Sequence, residues 1–456
     1  MTVIKFIVKT DLSKIINQPK SIAPLVHFRV LFGFIMLISI LRFVWNGWIE
    51  TQYLQPQFHF TYYGFGWVKP VDALGMYLLF GLMALSAIGI MIGLFYRLSA
   101  LLFFLSFTYV ELIDVTNYLN HYYFVSLMAL LLVIIPANRD FSLDVWNNPN
   151  KQVATIPNGF ILIIQLVLGL VYFYAGIAKL NPDWLLEALP LRIWLPPHTS
   201  LPLIGALMDE LWVAYAFSWF GAIYDLSIPF LLFYRKTRLF AFIAVVVFHI
   251  STWLLFPIGM FPFIMILSTT IFFSAQFHNQ ILSQVKRIFS NTFSTIPHKR
   301  NHYHPVYLKG IWGFFTLFMF IQLLLPWRFA LYPGNLFWTE QGYRFSWRVM
   351  LMEKAGYAIF HVKDPQTGKE WEEYARDYLT PMQEKQMSTQ PDMILQFVHY
   401  LEEQMGEIGF PEVEIRAEVY VTLNGSPNKL LLDPNIDLSL ENESFRPKSW
   451  VLPYLK

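Results

Sequence analysis

The chain lacks cysteine and contains little charge. None of its 456 residues is cysteine, which excludes disulfides, thiolate catalysis, cysteine-ligated zinc and iron–sulfur clusters. Charged residues make up 14% of the chain, against 55% hydrophobic and 18% aromatic residues. Because this is too little charge for a soluble surface of that size, the composition predicts an integral membrane protein.

Two classes of function lack support in the sequence. The net charge is only +2, and we find no long lysine–arginine stripe that would follow a phosphate backbone, so nucleic-acid binding is not expected. The histidines show no paired metal-ligand spacing, and the stretch NHYH at 301–304 lies in a basic loop. No metal site is expected either, and any chemistry rests on other side chains.

Apolar runs are abundant. A membrane-spanning helix needs about 20 mostly apolar residues, and about nine segments approach that length: 26–48, 72–95, 98–113, 121–137, 158–178, 212–234, 239–256, 258–276 and 306–326. The third, fourth and seventh are short, which suits a tilted or re-entrant helix. If all nine cross, the basic residues collect on one side, which places the N-terminus in the cytoplasm and the C-terminal region outside.

The sequence predicts three parts. A cytoplasmic tail of residues 1–25 precedes a helical membrane domain of residues 26–326. From 327 to 456 the sequence becomes charged. The stretch 357–371 predicts two strands joined by a turn, 412–425 alternates at period two, and 391–409 has a helical pattern. The predicted fold is therefore a polytopic α-helical membrane protein with an extracytoplasmic α+β or β-sandwich domain.

Three ionisable side chains fall near the outer ends of predicted membrane helices. Lys179 ends the fifth segment just before a proline, His121 opens the fourth, and His249 lies about 10 Å below the outer end of the seventh. Snorkelling to the headgroups explains Lys179 alone, and an interfacial aromatic belt explains His121 alone. Histidine is rare inside a bilayer helix, so His249 favours a functional role.

The helix face around Lys179 adds a chemical argument. Tyr172, Gly176 and Lys179 share one side of the helix, where small residues let another helix approach closely. Such packing would desolvate the lysine and make it usable as a base. Asp225, in the sixth segment, is costly to leave unpaired and is either a pocket residue or half of a structural ion pair. The stretch 256–263 predicts a broken helix that lines a cavity.

Four stretches resemble the vitamin K-dependent γ-glutamyl carboxylases and their bacterial relatives with an HTTM domain: 119–144, 172–185, 248–266 and 338–351. The resemblance implies that Lys179 deprotonates reduced vitamin K and that His121 and His249 are catalytic. It also implies a quinol pocket lined by Tyr172, Gly176, Trp253, Phe256, Met260 and Phe261. In that family O2 converts the hydroquinone to its epoxide, a strongly basic oxygenated form removes a glutamate γ-proton, and CO2 then adds.

The expected partners follow from this resemblance. They are the lipid bilayer, an isoprenoid quinol such as reduced vitamin K or menaquinol, and a glutamate-containing protein at the outer face of a bacterial inner membrane. Two alternatives stay open. One is a quinol epoxidase that carboxylates nothing, and the other is a non-enzymatic lipid or quinone carrier in which Lys179 and His249 bind a headgroup. A carrier would bind quinol without O2-dependent turnover.

Overall fold

The structure is a computed structural model that describes residues 12–288 and 301–455. The predicted tail of residues 1–25 is therefore described from residue 12 onward, and most of the basic stretch 286–300 lies outside the described residues. The described residues form a bundle of apolar helices followed by an α+β domain. This confirms the predicted fold class.

Each predicted membrane segment contains a helix. The helices are α1 (Ala23–Trp45), α2 (Ala73–Ile92), α3 (Tyr96–Ile113), α4 (Asn120–Ile134), α5 (Gly159–Ala178), α6 (Leu211–Phe233), α7 (Arg238–Leu255), α8 (Phe261–Thr269), α9 (Ala275–Ile288) and α10 (Leu308–Leu324). Among the described residues, 7 helices are long and apolar enough to cross a membrane, or up to 8 if the bent pair of α8 and α9 is one span. The helix α4 is apolar but shorter.

The predicted segment 258–276 is not one straight helix. Gly259 adopts a positive φ of 61° between α7 and α8, and Pro262 occupies the first turn of α8, where a missing amide hydrogen costs nothing. At the other end of α8, a turn of 3-10 helix at Thr270–Phe272 leads into α9. The two parts meet at a bend of 115°, so the chain turns back instead of continuing as a single rod.

The C-terminal domain contains one four-stranded antiparallel sheet. Its strands are β3 (Lys354–Lys363), β4 (Glu370–Glu373), β5 (Glu414–Leu423) and β6 (Lys429–Leu430). Two further strands, β1 (Pro19–Ser21) and β2 (Thr155–Pro157), lie earlier in the chain and pair with each other. The strand order is β4-β3-β5-β6, and β3 pairs with β5 from Lys354↔Leu423 to Lys363↔Glu414. Buried and partly buried residues alternate along β5, as expected for a sheet with one covered face.

Helices cover the buried face of that sheet. They are α11 (Pro381–Met387) and α12 (Pro391–Glu407), and Phe397 of α12 packs against Phe360 of β3 with ring centroids 4.9 Å apart. Of the two predicted alternatives, the domain is therefore α+β. Shorter helices elsewhere are Leu12–Asn17, Leu143–Asn147, Pro182–Glu187, Leu191–Trp194 and Leu336–Thr339, with a π-helical turn at Glu50–Leu54.

The α+β domain is anchored to the end of the bundle where α3 finishes. Asp114, which follows α3, is almost fully buried and accepts a hydrogen bond from Gln383 Nε2 at 3.0 Å. Its Oδ2 also lies 3.1 Å from His59 Nδ1. Asn120, at the start of α4, donates to the carbonyl of Arg348 at 3.0 Å. These contacts place the segment 338–351 directly over the ends of the membrane helices.

Candidate functional site

The site begins with the close approach of α5 and α6. A Cβ added to Gly176 on α5 would lie 2.8 Å from the backbone nitrogen of Leu226 on α6, a distance that only glycine tolerates. Small residues at helix contacts permit such packing in membranes. The contact brings Lys179, which caps α5, next to Asp225 on α6.

Lys179 and Asp225 form a buried ion pair. Lys179 Nζ lies 2.7 Å from Asp225 Oδ2, and the two residues are 5% and 4% exposed. Nζ also reaches the carbonyl of Ala175 at 3.4 Å and lies 5.2 Å from the ring centroid of Trp184. The side chain therefore points inward to its partner and does not extend toward the headgroups, as snorkelling requires.

The pair lies deeper in the protein than the sequence suggested. Asp225 is roughly 20 Å along α6 from Leu211, at 1.5 Å per residue. The chain after Lys179 folds back along the first turns of α6 and covers the pair from outside. Trp184 Nε1 donates to the Ser218 carbonyl at 2.8 Å, and the Tyr215 hydroxyl donates to the Leu186 carbonyl at 2.8 Å. Lys179 ends a helix, but not at the boundary of the protein.

A second polar contact joins α5 to α7. The Tyr172 hydroxyl lies 3.0 Å from His249 Nε2, and His249 is 1% exposed. Its Nδ1 is buried and has no hydrogen-bond partner among the described residues. The ring of Phe261 packs edge-on to His249 at 5.5 Å. The tyrosine hydroxyl thus fixes the imidazole on the wall of the bundle.

These groups line one cavity of about 760 Å³, its open mouth included. Ligand sites typically combine apolar walls with a few polar groups. The wall consists of Val171, Tyr172, Ala175, Lys179, Trp184, Leu191, Trp194, Phe217, Gly221, Asp225, Phe248, His249, Thr252, Phe256, Ile258, Phe261, Met265, Val349 and Met350. The arrangement offers an apolar, aromatic space with one ion pair and one histidine.

The α+β domain supplies part of the wall through Val349 and Met350. The loop that carries them is strained, since Phe345, Trp347 and Met350 have positive φ angles of 60°, 60° and 52°. Each such residue costs on the order of 1–3 kcal/mol, and such strain clusters at functional sites. Trp347 is 1% exposed, so burial of its indole helps to hold this conformation.

The structure brings together some of the residues that the sequence singled out. Lys179, His249, Tyr172, Phe256 and Phe261 all line the cavity. His121 does not, although its ring lies 5.6 Å from that of Phe261. The predicted catalytic residues therefore share one region, with His121 one aromatic ring away from the cavity wall.

Three predicted pocket residues also lie outside the cavity wall. Gly176 forms the helix contact with Leu226. Trp253 is 46% exposed and packs on Phe263, with ring centroids 5.6 Å apart. Met260 packs against the hydrophobic core of the bundle. Trp253 and Met260 flank the turn where α7 ends at Leu255 and Gly259 adopts a positive φ before α8 begins.

Asp225 is the chief wall residue that the sequence left open, as either a pocket residue or half of a structural ion pair. Its signal was present, because it is the only acidic residue in α6. The other unassigned wall residues with polar or aromatic side chains are Trp184, Trp194, Phe217, Phe248 and Thr252. Within residues 12–288 and 301–455, no group of three or more histidine, aspartate or glutamate side chains is placed to hold a metal ion.

Comparison with known families covers both parts of the chain. A family model described as "HTTM domain" matches residues 17–277, more than half of the chain. A second, described as "Vitamin K-dependent gamma-carboxylase, lumenal domain", matches residues 308–456. No solved structure matches the chain significantly. The first match contains Lys179, Asp225 and His249, and the second contains Val349 and Met350, so both parts contribute to the cavity.

Proposed function

Since the chain belongs to the vitamin K-dependent gamma-carboxylase family, we propose that it is a membrane enzyme that oxidises a reduced isoprenoid quinol with O2. The substrate is reduced vitamin K or menaquinol, and the product is its epoxide. The oxidation drives proton removal from a protein glutamate, to which CO2 adds. The observation that supports this best is the buried Lys179–Asp225 pair in the wall of an apolar cavity.

The cavity suits the chemistry of a quinol substrate. Its aromatic and aliphatic walls match a fused ring and an isoprenoid chain, while the ion pair and His249 offer polar partners for the hydroxyl groups. In this proposal Lys179 takes the proton from a quinol hydroxyl group, and His249, which contacts the Tyr172 hydroxyl, orients the ring. His121 contributes through its contact with Phe261.

A dry site is what the second half of the reaction requires. A glutamate γ-proton is far too weakly acidic for a protein side chain to remove directly, so a stronger base must be generated where water does not quench it. The segment that carries Trp184 covers the ion pair from outside. The glutamate enters from the side of Val349 and Met350, and the quinol from the lipid.

We base the proposed orientation in the membrane on the distribution of basic residues. The α+β domain, which closes the cavity, faces the extracytoplasmic side, and the N-terminus is cytoplasmic, in accordance with the distribution of basic residues. The protein then lies in a bacterial inner membrane, with its glutamate-containing substrate outside. Quinol oxidation depends on the cavity, whereas recognition of the glutamate depends also on the rest of the exterior domain.

A reconstituted assay tests the proposal. The purified protein in nanodiscs receives vitamin K hydroquinone, O2, bicarbonate and a glutamate-rich peptide, and mass spectrometry counts epoxide and carboxylated peptide. We expect both products from the wild type and from Lys363→Ala, a control on β3 that does not line the cavity, and neither from folded Lys179→Ala. Epoxide without carboxylated peptide would reduce the function to quinol epoxidation. Quinol binding without epoxide would identify a carrier.

A further inference from the structure

We propose that the loop of residues 199–210, which leads into α6, inserts its apolar side chains into the lipid leaflet on the side of the α+β domain. We call this segment the apolar loop. Its partner is the layer of glycerol groups and upper acyl chains of uncharged or zwitterionic lipids. Such insertion would occur whatever reaction the cavity supports.

The inward face of the apolar loop is packed and ordered. Leu201 and Met208 join the same apolar cluster as Trp184, which covers the cavity. The Gly205 amide donates to the Leu201 carbonyl, and the Met208 amide donates to the Gly205 carbonyl, both at 2.9 Å. The loop therefore has a fixed shape, and the side chains on its other face are held away from the protein.

The outward face presents apolar side chains that no described residue covers. Leu203 is fully exposed, and Ile204 and Leu207 are exposed as well. Leu203 also has a φ of 70°, in the left-handed region that leucine rarely adopts and asparagine or glycine adopts more readily. In water a leucine at this position would be unfavourable both in its backbone and in its side chain. Contact with lipid removes the second penalty.

The helix that follows places the apolar loop at the membrane surface. Arg235 and Lys236 come shortly after the end of α6 and mark one boundary of the hydrocarbon core. About 20 residues span that core at 1.5 Å per residue, so the other boundary falls near Ala214. Leu211, the first residue of α6, then lies about 5 Å farther out, in the headgroup layer. The loop joins α6 at this level.

The exposed apolar surface continues from the loop onto α6. Trp212, Trp219 and Ile223 are all exposed, and their spacing places them on one face of the helix. Tryptophan is typical of the membrane–water interface, so this face is in contact with lipid. A second copy of the chain fits the loop less well, because a stable interface uses about 20–30 residues from each partner, far more than the loop presents.

The charges of the loop indicate which lipids it contacts. Residues 199–210 contain no lysine or arginine, and Asp209 and Glu210 are exposed at the end of the loop. Anionic headgroups attract basic segments, and this segment offers them none. Burial of apolar surface is therefore the driving force, and zwitterionic lipid is sufficient.

Single cysteine labels test the insertion, because the chain has no cysteine of its own. The fluorophore NBD is attached to Leu203→Cys, to Ile223→Cys as a control within the membrane, and to Gln366→Cys in the exposed turn after β3. Each full-length variant is placed in phosphatidylcholine nanodiscs that carry a nitroxide at a shallow or a deep position of the acyl chain. We expect blue-shifted emission at position 203 and stronger quenching by the shallow nitroxide. Position 223 should be quenched more by the deep nitroxide, and position 366 by neither.

Three results would overturn the proposal. A label at position 203 with the emission of a fluorophore in water, and without quenching by lipid, would place the loop in water. A blue-shifted label that the nitroxide lipids do not quench would show that protein, such as a second copy, covers the loop. Quenching that appears only when phosphatidylglycerol is added would contradict the expected lipid chemistry.

A second measurement needs no label. Asparagine adopts a positive φ more readily than leucine, so Leu203→Asn should raise the melting temperature if the loop lies in water. If the loop lies in lipid, the variant loses apolar burial and should melt below the wild type in nanodiscs. A melting temperature equal to or above that of the wild type would overturn the insertion. Neither measurement involves epoxide formation, so failure here would leave the proposed function intact.

Discussion

Two buried lysine–carboxylate pairs in this molecule look alike until their surroundings are compared. Lys179 and Asp225 lie 2.7 Å apart in the membrane bundle, and Lys354 and Glu340 lie 2.9 Å apart in the α+β domain. All four side chains are less than a tenth exposed. Lys354, however, also donates to the Trp338 carbonyl at 2.8 Å, whereas the second contact of Lys179 is a long 3.4 Å.

The difference teaches that burial and pairing do not by themselves identify a reactive group. Lys354 is enclosed by the domain, where burial lowers its pKa and Glu340 opposes that shift. Its hydrogen bonds hold two segments of chain together. The Lys179–Asp225 pair has similar burial but lies in the wall of a cavity. Of the two buried ion pairs, the one that lines a cavity is therefore the candidate for a catalytic role.

The largest expected effect separates the two lysines directly. We expect Lys179→Met to lower quinol turnover by about 10²–10⁴-fold, because it removes the proposed base. Lys354→Met should leave turnover of the folded protein within about twofold of wild type but destabilise the α+β domain by about 3–5 kcal/mol, because Glu340 loses its partner. Epoxide assays and thermal unfolding of both variants make the comparison. Equal loss of turnover in the two would show that both pairs act only through stability.

The next effect tests the helix contact that creates the pair. Gly176→Ala places a Cβ 2.8 Å from the Leu226 backbone nitrogen, which should cost about 1–3 kcal/mol through overpacking and lower turnover by moving Lys179 away from Asp225. Thermal unfolding and epoxide formation measure both consequences.

Gly169→Ala is the matched control for that variant. Gly169 lies on the same helix and faces the same partner, but the nearest atoms to an added Cβ, on Phe233 and Pro229, are 3.7 Å away. This variant should be as stable as wild type or slightly more so, because alanine favours a helix over glycine by about 1 kcal/mol. If Gly176→Ala behaved like Gly169→Ala, close approach of α5 and α6 would not be what positions the ion pair.

A smaller effect is expected at Tyr172. Tyr172→Phe removes the hydrogen bond to His249 Nε2 and should reduce turnover by roughly tenfold, in line with the loss of about 1–1.5 kcal/mol of positioning energy. Tyr174→Phe removes a comparable bond, from the hydroxyl to the Leu323 carbonyl at 2.6 Å, but away from the cavity wall. It should reduce stability only. A Tyr172→Phe variant with normal turnover would mean that His249 needs no fixed orientation.

Much of the fold was predictable because its signals are local. The membrane helices follow from runs of apolar residues, and the α+β domain follows from alternation in β3 and β5 and from helical spacing in α12. The close packing near Lys179 also has a local signal, since Gly176 lies one turn before it. Hydropathy and periodicity record such features residue by residue.

The rest depends on relations between distant segments. Lys179 meets Asp225 because the end of α5 packs against the middle of α6. No local sequence pattern predicts which residues of the two helices are in contact. The contribution of Val349 and Met350 depends on a loop with positive φ angles at non-glycine residues, which sequence patterns disfavour. The bend after α8 is equally hidden, because both α8 and the turn that follows it are apolar.

The smallest predicted effect concerns an ion pair in the α+β domain whose contribution to the stability of the fold depends on pH. Burial raises the pKa of Asp392, but pairing with Arg344 outweighs it and leaves the pKa below the ordinary 3.8. A carboxyl whose pKa is lower in the folded state stabilises the fold above its unfolded pKa and loses that contribution as pH falls through the folded value. The stabilisation is thus complete above about pH 5 and declines below about pH 4.

Thermal unfolding of the wild type and of Asp392→Asn between about pH 3 and 6 measures this contribution. The wild type should be the more stable protein at the upper end, and the difference in melting temperature should shrink toward acid, whereas epoxide formation near neutral pH should be the same in both. A difference that is constant with pH would mean that Arg344 holds Asp392 by geometry and not by its charge. Protonation of the Arg344–Asp392 pair is thus expected to change the stability of the fold, whereas proton transfer at the Lys179–Asp225 pair is expected to be part of the reaction.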